Sequence, residues 1–384
     1  MFNLRFFQFI FIFSLFTTQT LTKDNLKELS ERRIEFIKGV DVSMLNQIEE
    51  NGGVFKENGV PKDALEIFKN HGINFVRLRL WHTPTKGYNN LTKTLIMASR
   101  IKALNMGFLL DFHYSDTWAD PGHQAKPVAW ENLDFESLKD SVYQYTRHVI
   151  NELKTHNVLP DIVQIGNEIT CGILWNYGRI CGEYDTPNNW ARFVELLKEG
   201  IRGVHESLDV TDTIKIMIHI DRGGDNAGSR WFFDNLLNHG VDFDIIGLSY
   251  YPWWHGTLSE LESNLKDLAQ HYDKEIVVVE TAYPWTLSWF DTTHNIVGDS
   301  SQLLPDYPAS VRGQKSFLIN LINIILNVPY SKGLGLFYWS PEYISTPQLG
   351  SPWENLTLFN FRGELLSSIE AFDSTLFSSE LQKD

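Results

Sequence analysis

Eight short apolar runs, several rich in β-branched residues, recur along this chain and constrain its fold more than any other feature. They fall near residues 34–42, 74–80, 107–112, 161–166, 214–220, 244–249, 275–279 and 335–338. Runs with so little polar alternation suit strands buried on both faces, as in a parallel sheet covered by helices. Segments with 3.6-residue periodicity lie between them, at 63–71, 91–105, 135–156, 190–207, 258–271 and 313–327. This alternation predicts an α/β fold, a (β/α)8 TIM barrel, as one domain over residues 34–372. An open doubly wound sheet is the alternative, but no Gly-x-Gly-x-x-Gly follows the first run. No linker or repeat divides the chain, and a monomer is expected.

Ahead of this domain, Arg5 precedes an apolar stretch, 6–16, broken by Gln8 and Ser14. Its length is that of a signal-peptide core and is too short for a membrane span. The expectation is a signal peptide over 1–22 and a secreted or periplasmic mature protein with no membrane segment; an uncleaved anchor is the alternative. In such a protein Cys171 and Cys181 either close a short loop by a disulfide or remain thiols, and spacing does not decide. The net charge of −15 argues against nucleic acid, which needs a cationic field, and against an anionic polysaccharide. A neutral partner fits better. Twelve Trp exceed what core filling alone asks for, and stacking on sugar rings is one use for the excess.

Two of the apolar runs end in glutamate: Glu168 closes 162–168 and Glu280 closes 275–280. In a barrel, strand C-termini form the mouth that carries the chemistry. Two carboxyls there can supply the acid and the nucleophile of glycosidic bond cleavage. A single Glu at a strand end is more often a cap or a surface ion pair, so the weight rests on the pair. Glu168 would act as acid and then base, with Asn167 on the sugar 2-hydroxyl. Glu280, as nucleophile, must stay ionised, which calls for a nearby cation (Arg77 or Arg79) and a hydroxyl donor (Tyr250 or Tyr251).

The segments Gly39-Val40-Asp41-Val42-Ser43, Val76-Arg77-Leu78-Arg79-Leu80-Trp81 and Asp111-Phe112-His113-Tyr114-Ser115-Asp116-Thr117-Trp118-Ala119-Asp120-Pro121 carry a further signal. So do Ile165-Gly166-Asn167-Glu168, Ser249-Tyr250-Tyr251-Pro252, Val279-Glu280-Thr281 and Gly335-Leu336-Phe337-Tyr338-Trp339. In order and spacing the chain resembles glycoside hydrolase family 53, the endo-β-1,4-galactanases, over nearly all of 34–372. The resemblance implies acid/base Glu168, nucleophile Glu280, Arg77 in support of Glu280, and Tyr250 beneath the reacting sugar. It implies retaining cleavage within β-1,4-galactan, the side branches of pectin, with no required cofactor. Trp339 and Trp118 are candidate sugar platforms. His113, Asp116 and His219 either bind hydroxyls or hold the carboxylates, and a buried, satisfied His is an equal reading. A relative acting on mannan or cellulose, and a non-catalytic galactan-binding barrel, are the alternatives; the presence of both glutamates disfavours the latter. In the loop after the seventh strand, Asp291, Asn295 and Asp299 are weak candidates for a structural calcium, with an ordinary polar loop preferred. Asn90 and Asn355 begin glycosylation sequons.

Overall fold

Every apolar run becomes a strand: β1 Ile37–Asp41, β2 Phe75–Leu80, β3 Gly107–Phe112, β4 Ile162–Ile165, β5 Lys215–Ile220, β6 Ile245–Tyr250, β7 Glu275–Thr281 and β8 Gly333–Trp339. The structure, a computed structural model, describes residues 35–373; the expected signal segment lies outside the described residues. The strands pair in parallel in the order β1-β8-β7-β6-β5-β4-β3-β2, and β1 pairs with β2 to close the barrel. No helix of the described residues is long and apolar enough to cross a membrane.

The barrel helices are α1 Ala64–Asn70, α2 Leu91–Ala103, α3 Phe135–Thr155, α4 Pro187–His205, α5 Asn226–Asn238, α6 Leu258–His271 and α7 Val311–Leu326. Each starts on a side-chain cap, from Asp63, Asn90, Asp134, Thr186, Asp225, Thr257 and Ser310 in turn. These caps satisfy N–H groups that the helix itself leaves unpaired. Two departures from the sequence reading appear. Helix α5 is absent from the expected set, because Asn226, Gly228 and Arg230 dilute its apolar period. After β8 there is no full helix; a short 3₁₀ turn, Ser367–Phe372, packs on α7 in its place.

One core lies between strands and helices. A second fills the barrel's interior with Ile37, Phe75, Leu109, Ile162, Met217, Ile245, Val277, Val279, Leu334 and Phe337. Phe75 and Phe337 meet there edge to face, their centroids 5.9 Å apart. Glycine makes the room: a Cβ on Gly39 would lie 2.3 Å from the Phe337 ring, and one on Gly107 would lie 2.1 Å from Phe75. The plug is therefore complete without those side chains, and the polar groups above it stand on a rigid floor. Gly39→Ala is expected to destabilise the fold by about 1–3 kcal/mol through overpacking. A denaturant midpoint equal to that of the parent would show that Phe337 yields freely.

Candidate active site

Above the apolar plug, the strand ends turn polar. Asp41 of β1, Arg77 of β2, Asp111 of β3, Gln164 of β4, His219 of β5, Ser249 of β6 and Glu280 of β7 are all buried. Arg77 ties four strands together. Its Nη1 donates to Asp41 Oδ2 at 2.9 Å and Glu280 Oε1 at 2.7 Å; its Nη2 donates to Asp111 Oδ2 at 2.8 Å and Asn167 Oδ1 at 2.7 Å. Burial works against its charge, but Asp111, Glu280 and Asp41 outweigh that and keep it protonated. On the other side of Glu280, the Tyr251 hydroxyl donates to Oε2 at 3.0 Å. One carboxylate thus receives a cation on one oxygen and a hydroxyl on the other.

Glu168 is placed differently. It lies just past the end of β4 with its backbone in the left-handed region, φ 47°, which costs a non-glycine residue about 1–2 kcal/mol. Its neighbours hold it there. Asn167 lends its Oδ1 to Arg77 and gives an N–H to the Ala119 carbonyl at 2.8 Å, while Gln124 donates to the Asn167 carbonyl at 2.8 Å. Among the described residues, the side chain of Glu168 meets no cation. Its Oε1 accepts from the Ser249 hydroxyl at 2.6 Å, and Ser249 Oγ lies 2.8 Å from His219 Nε2. Burial, then Arg77 and His113, push His219 well below its ordinary range, so the ring is neutral. A neutral ring has one N–H. With Nε2 protonated, it donates to Ser249 and fixes that hydroxyl's proton toward Glu168, while Nδ1 accepts from Gln164 Nε2 at 3.1 Å.

The two glutamates line a common cavity of about 340 Å³ walled by Trp118, Tyr251, Trp254, Trp339 and Trp353. They do not hold protons equally. Burial raises Glu280 to about 7, with Arg77 and the Tyr251 hydroxyl opposing the rise. Burial raises Glu168 well above the carboxylate range, the charges of Glu280 and Asp221 add to it, and the Ser249 hydroxyl alone works against it. When the pair shares one proton, Glu168 carries it and Glu280 is the anion.

The other expected residues sort themselves by contact. Arg79 is buried but does not reach Glu280; its guanidinium lies 4.0 Å from the Trp118 ring centre. Tyr250 requires a correction. It is the last residue of β6 and points outward, its hydroxyl donating to the Gly256 carbonyl at 3.0 Å and its ring stacked on Phe317. The chain's alternation brings the next residue, Tyr251, into the site. His113 has both nitrogens engaged: Nδ1 accepts from Trp81 Nε1 at 3.2 Å and from Ala119 N–H at 3.1 Å, and Nε2 faces Asp111 at 3.0 Å. His113 therefore holds Asp111 directly, the second of the readings left open, whereas His219 bonds Gln164 and Ser249 and reaches the Glu168 carboxyl through the latter. Asp116 accepts from the Thr83 and Val128 N–H groups, bracing two loops, and lines a neighbouring cavity with Trp81 and Trp118. Trp118 is 40% exposed and Trp339 packs edge-on against Trp353 at 4.6 Å, both on the cavity wall.

In the loop after β7, Asp291 accepts from Thr293, Ser345 and Ser351, and Asp299 caps a short turn. Among the described residues no three His, Cys, Asp or Glu side chains converge as metal ligands. Cys171 and Cys181 form a disulfide. Asn355 is fully buried, and its amide donates to the Thr286 and Val297 carbonyls, so in the folded chain that sequon is closed. Asp41, Asp111, Gln164 and Ser249 escaped the sequence reading. Their signal was present as polar residues interrupting otherwise apolar strands.

A closed barrel with an unequal carboxyl pair at its mouth defines the class: a glycoside hydrolase. The chain belongs to glycosyl hydrolase family 53, whose sequence profile matches residues 37–372. A Niallia circulans protein described as uncharacterized, in the bgaB 5′ region, is 51% identical over 348 residues, covering 89% of this chain and 94% of its own length. The arabinogalactan endo-β-1,4-galactanase of Thermothelomyces thermophilus is 38% identical over 343 residues, covering 87% of this chain and 98% of its own. The Ignisphaera aggregans GH53 catalytic domain superposes with a TM-score of 0.83 at 40% identity, over 90% of this chain and 97% of that one.

Because the Tyr251 hydroxyl stabilises the Glu280 anion, Tyr251→Phe should raise that group's pKa. The acidic limb of kcat/KM should then move to higher pH, by about one unit for a hydrogen bond to a charged group. Tyr250→Phe should leave the limb in place. A pH–rate profile of both variants checks the assignment, and a shift in the Tyr250 variant alone would reverse it.

Proposed function

We propose that the chain is a secreted, retaining endo-β-1,4-galactanase. The observation that carries this reading is the asymmetry of the carboxyl pair in one cavity, in a chain of family 53. The Glu280 anion attacks the anomeric carbon of a galactosyl unit as Glu168 gives its proton to the departing glycosidic oxygen. The bond to the leaving chain breaks, and a galactosyl–Glu280 ester forms. Glu168, now an anion, takes a proton from water as the water attacks the same carbon from the face the leaving group vacated. Glu280 departs, Glu168 regains its proton, and two inversions give net retention. His219 and Ser249 keep the Glu168 carboxyl turned toward the cleft in both steps. Asn167 has a second amide N–H to offer the sugar 2-hydroxyl.

Galactose presents an apolar face to an aromatic ring, and the cavity wall supplies Trp118, Trp254, Trp339 and Trp353. A further cavity of about 380 Å³ shares Trp118 and Tyr343 with the first and contains neither glutamate. Room for the chain beyond the unit held at the glutamates favours attack within a polymer. The relatives' names favour β-1,4-galactan over mannan or cellulose, and the net charge is compatible with any neutral glycan.

Digestion of purified β-1,4-galactan, mannan and cellulose, followed by product analysis and proton NMR of the new reducing ends, tests the reading. Internal cleavage of galactan with the β-anomer appearing first is expected. Preferred hydrolysis of mannan, or an α-anomer first, would overturn it. Glu168→Ala should lose roughly 10²–10⁴-fold on galactan, where the leaving group needs a proton. An activated aryl galactoside should lose far less in the first step. Equal losses on both substrates would remove the acid role from Glu168.

A further inference from the structure

Another hollow lies away from both glutamates. It encloses about 700 Å³ and is lined by residues of the segment before α3, of the loop after β4 and of the start of α4. Tyr177 and Tyr184, each half-buried, line it. Their rings are fixed from behind. Tyr177 packs on Phe135 at 5.6 Å, and Arg179 lies between Tyr184 and Trp175, 4.5 and 4.4 Å from their ring centres. Asn189 secures the Tyr184 backbone by donating to its carbonyl at 2.9 Å. Two braced aromatic rings beside the amide of Asn176 are a surface of the kind that holds a sugar.

Charge gives the hollow its selectivity. The chain carries 48 acidic and 33 basic side chains, and many surface Lys and Arg are already taken by a carboxylate, as at Lys139, Lys154 and Arg202. Lys126 and Arg192, which both line the hollow, form no ion pair among the described residues. Lys126 Nζ donates to a neutral carbonyl, that of Glu131, at 2.7 Å and lies 5.3 Å from the Tyr177 ring centre. One carboxylate, Glu183, shares the lining, so the local balance is two cations to one anion. The sign is the reverse of the molecule's. The net charge repels acidic polymers at long range, but at physiological salt that repulsion is screened beyond about 8 Å, so a bound group responds to its neighbours.

We infer that this hollow is a second glycan site and that it takes a carboxylate-bearing sugar. The carboxylate sits between Lys126 and Arg192, and the pyranose faces lie on Tyr177 and Tyr184. The inference goes beyond the galactan reading and does not require it. The hollow is coupled to the catalytic rim by short connections: Ala125 bridges Trp175, and Gln124 bonds the carbonyl of Asn167. A polymer with acidic and neutral stretches would be held by the first while the second is cut.

The test titrates the full-length parent with trigalacturonate and, separately, with galactotriose, by calorimetry at low and high salt. Trigalacturonate should bind saturably, weaken as salt rises, and keep its affinity when galactotriose fills the cleft. A Lys126→Ala/Arg192→Ala variant should lose about ten-fold or more in trigalacturonate affinity, about 1.4 kcal/mol. Its hydrolysis of short galacto-oligosaccharides should be unchanged, and its thermal midpoint should show that it folds. Tyr184→Ala should weaken binding independently of salt. Absence of saturable binding, unchanged affinity in the double variant, or displacement by galactotriose would each overturn the site. Galactan hydrolysis, assayed on the same preparation, reports on the cleft alone, so loss of one reading leaves the other standing.

Discussion

The guanidinium of Arg77 is the interaction on which the mouth of this barrel depends. Three carboxylates, from Asp41, Asp111 and Glu280, converge with the amide of Asn167 on one buried cation. Without it, three like charges would be left in a space nearly closed to water, and several kcal/mol of desolvation and repulsion would have no opposing term. Arginine suits the position because its planar fork can serve β1, β3, β7 and the turn after β4 together; lysine has a point charge and no such geometry. The same contact that holds the strands' polar ends in register therefore also sets the electrostatics of Glu280.

From that anchor the difference between the glutamates follows. Glu280 is the strand's own inward residue, one bond from Arg77. Glu168 stands three residues beyond its strand, where the backbone has left the sheet and the Arg77 contact is taken by Asn167. Position in the barrel, more than local sequence, assigns the proton. Both side chains are glutamates ending apolar runs, and what separates them is which neighbouring strand end carries the cation.

Much of this was legible beforehand because burial on both faces leaves a strong trace. The eight strands appear as nearly unbroken apolar runs, and their ends shift by a few residues at most. Helix α5 was not legible, since its capping Asp225 is followed by polar residues and a glycine before Trp231, Phe232 and Phe233 restore the period. Tyr250 and Tyr251 show a finer limit. Two identical side chains at a strand end differ by one step of the pleat, and only the β6–β7 register, which shifts after Leu248, decides which of them faces Glu280. The contacts of Asp111, Gln164 and Ser249 were hidden for another reason: their partners come from other strands, and sequence separation carries no trace of such neighbours.

The disulfide has a consequence for how this molecule reaches its working state. Cys171 comes three residues after Glu168, and its bond to Cys181 bounds the hairpin of Gly172–Ile173 and Gly178–Arg179 that carries Trp175. The barrel's cores draw on no cysteine, so the bond fastens the rim and not the packed strands. Final tightening of the rim beside the proton donor then belongs to the oxidising surroundings in which such bonds persist. The rim beside the proton donor is thus tied by a covalent bond, whereas the barrel beneath it rests on packing.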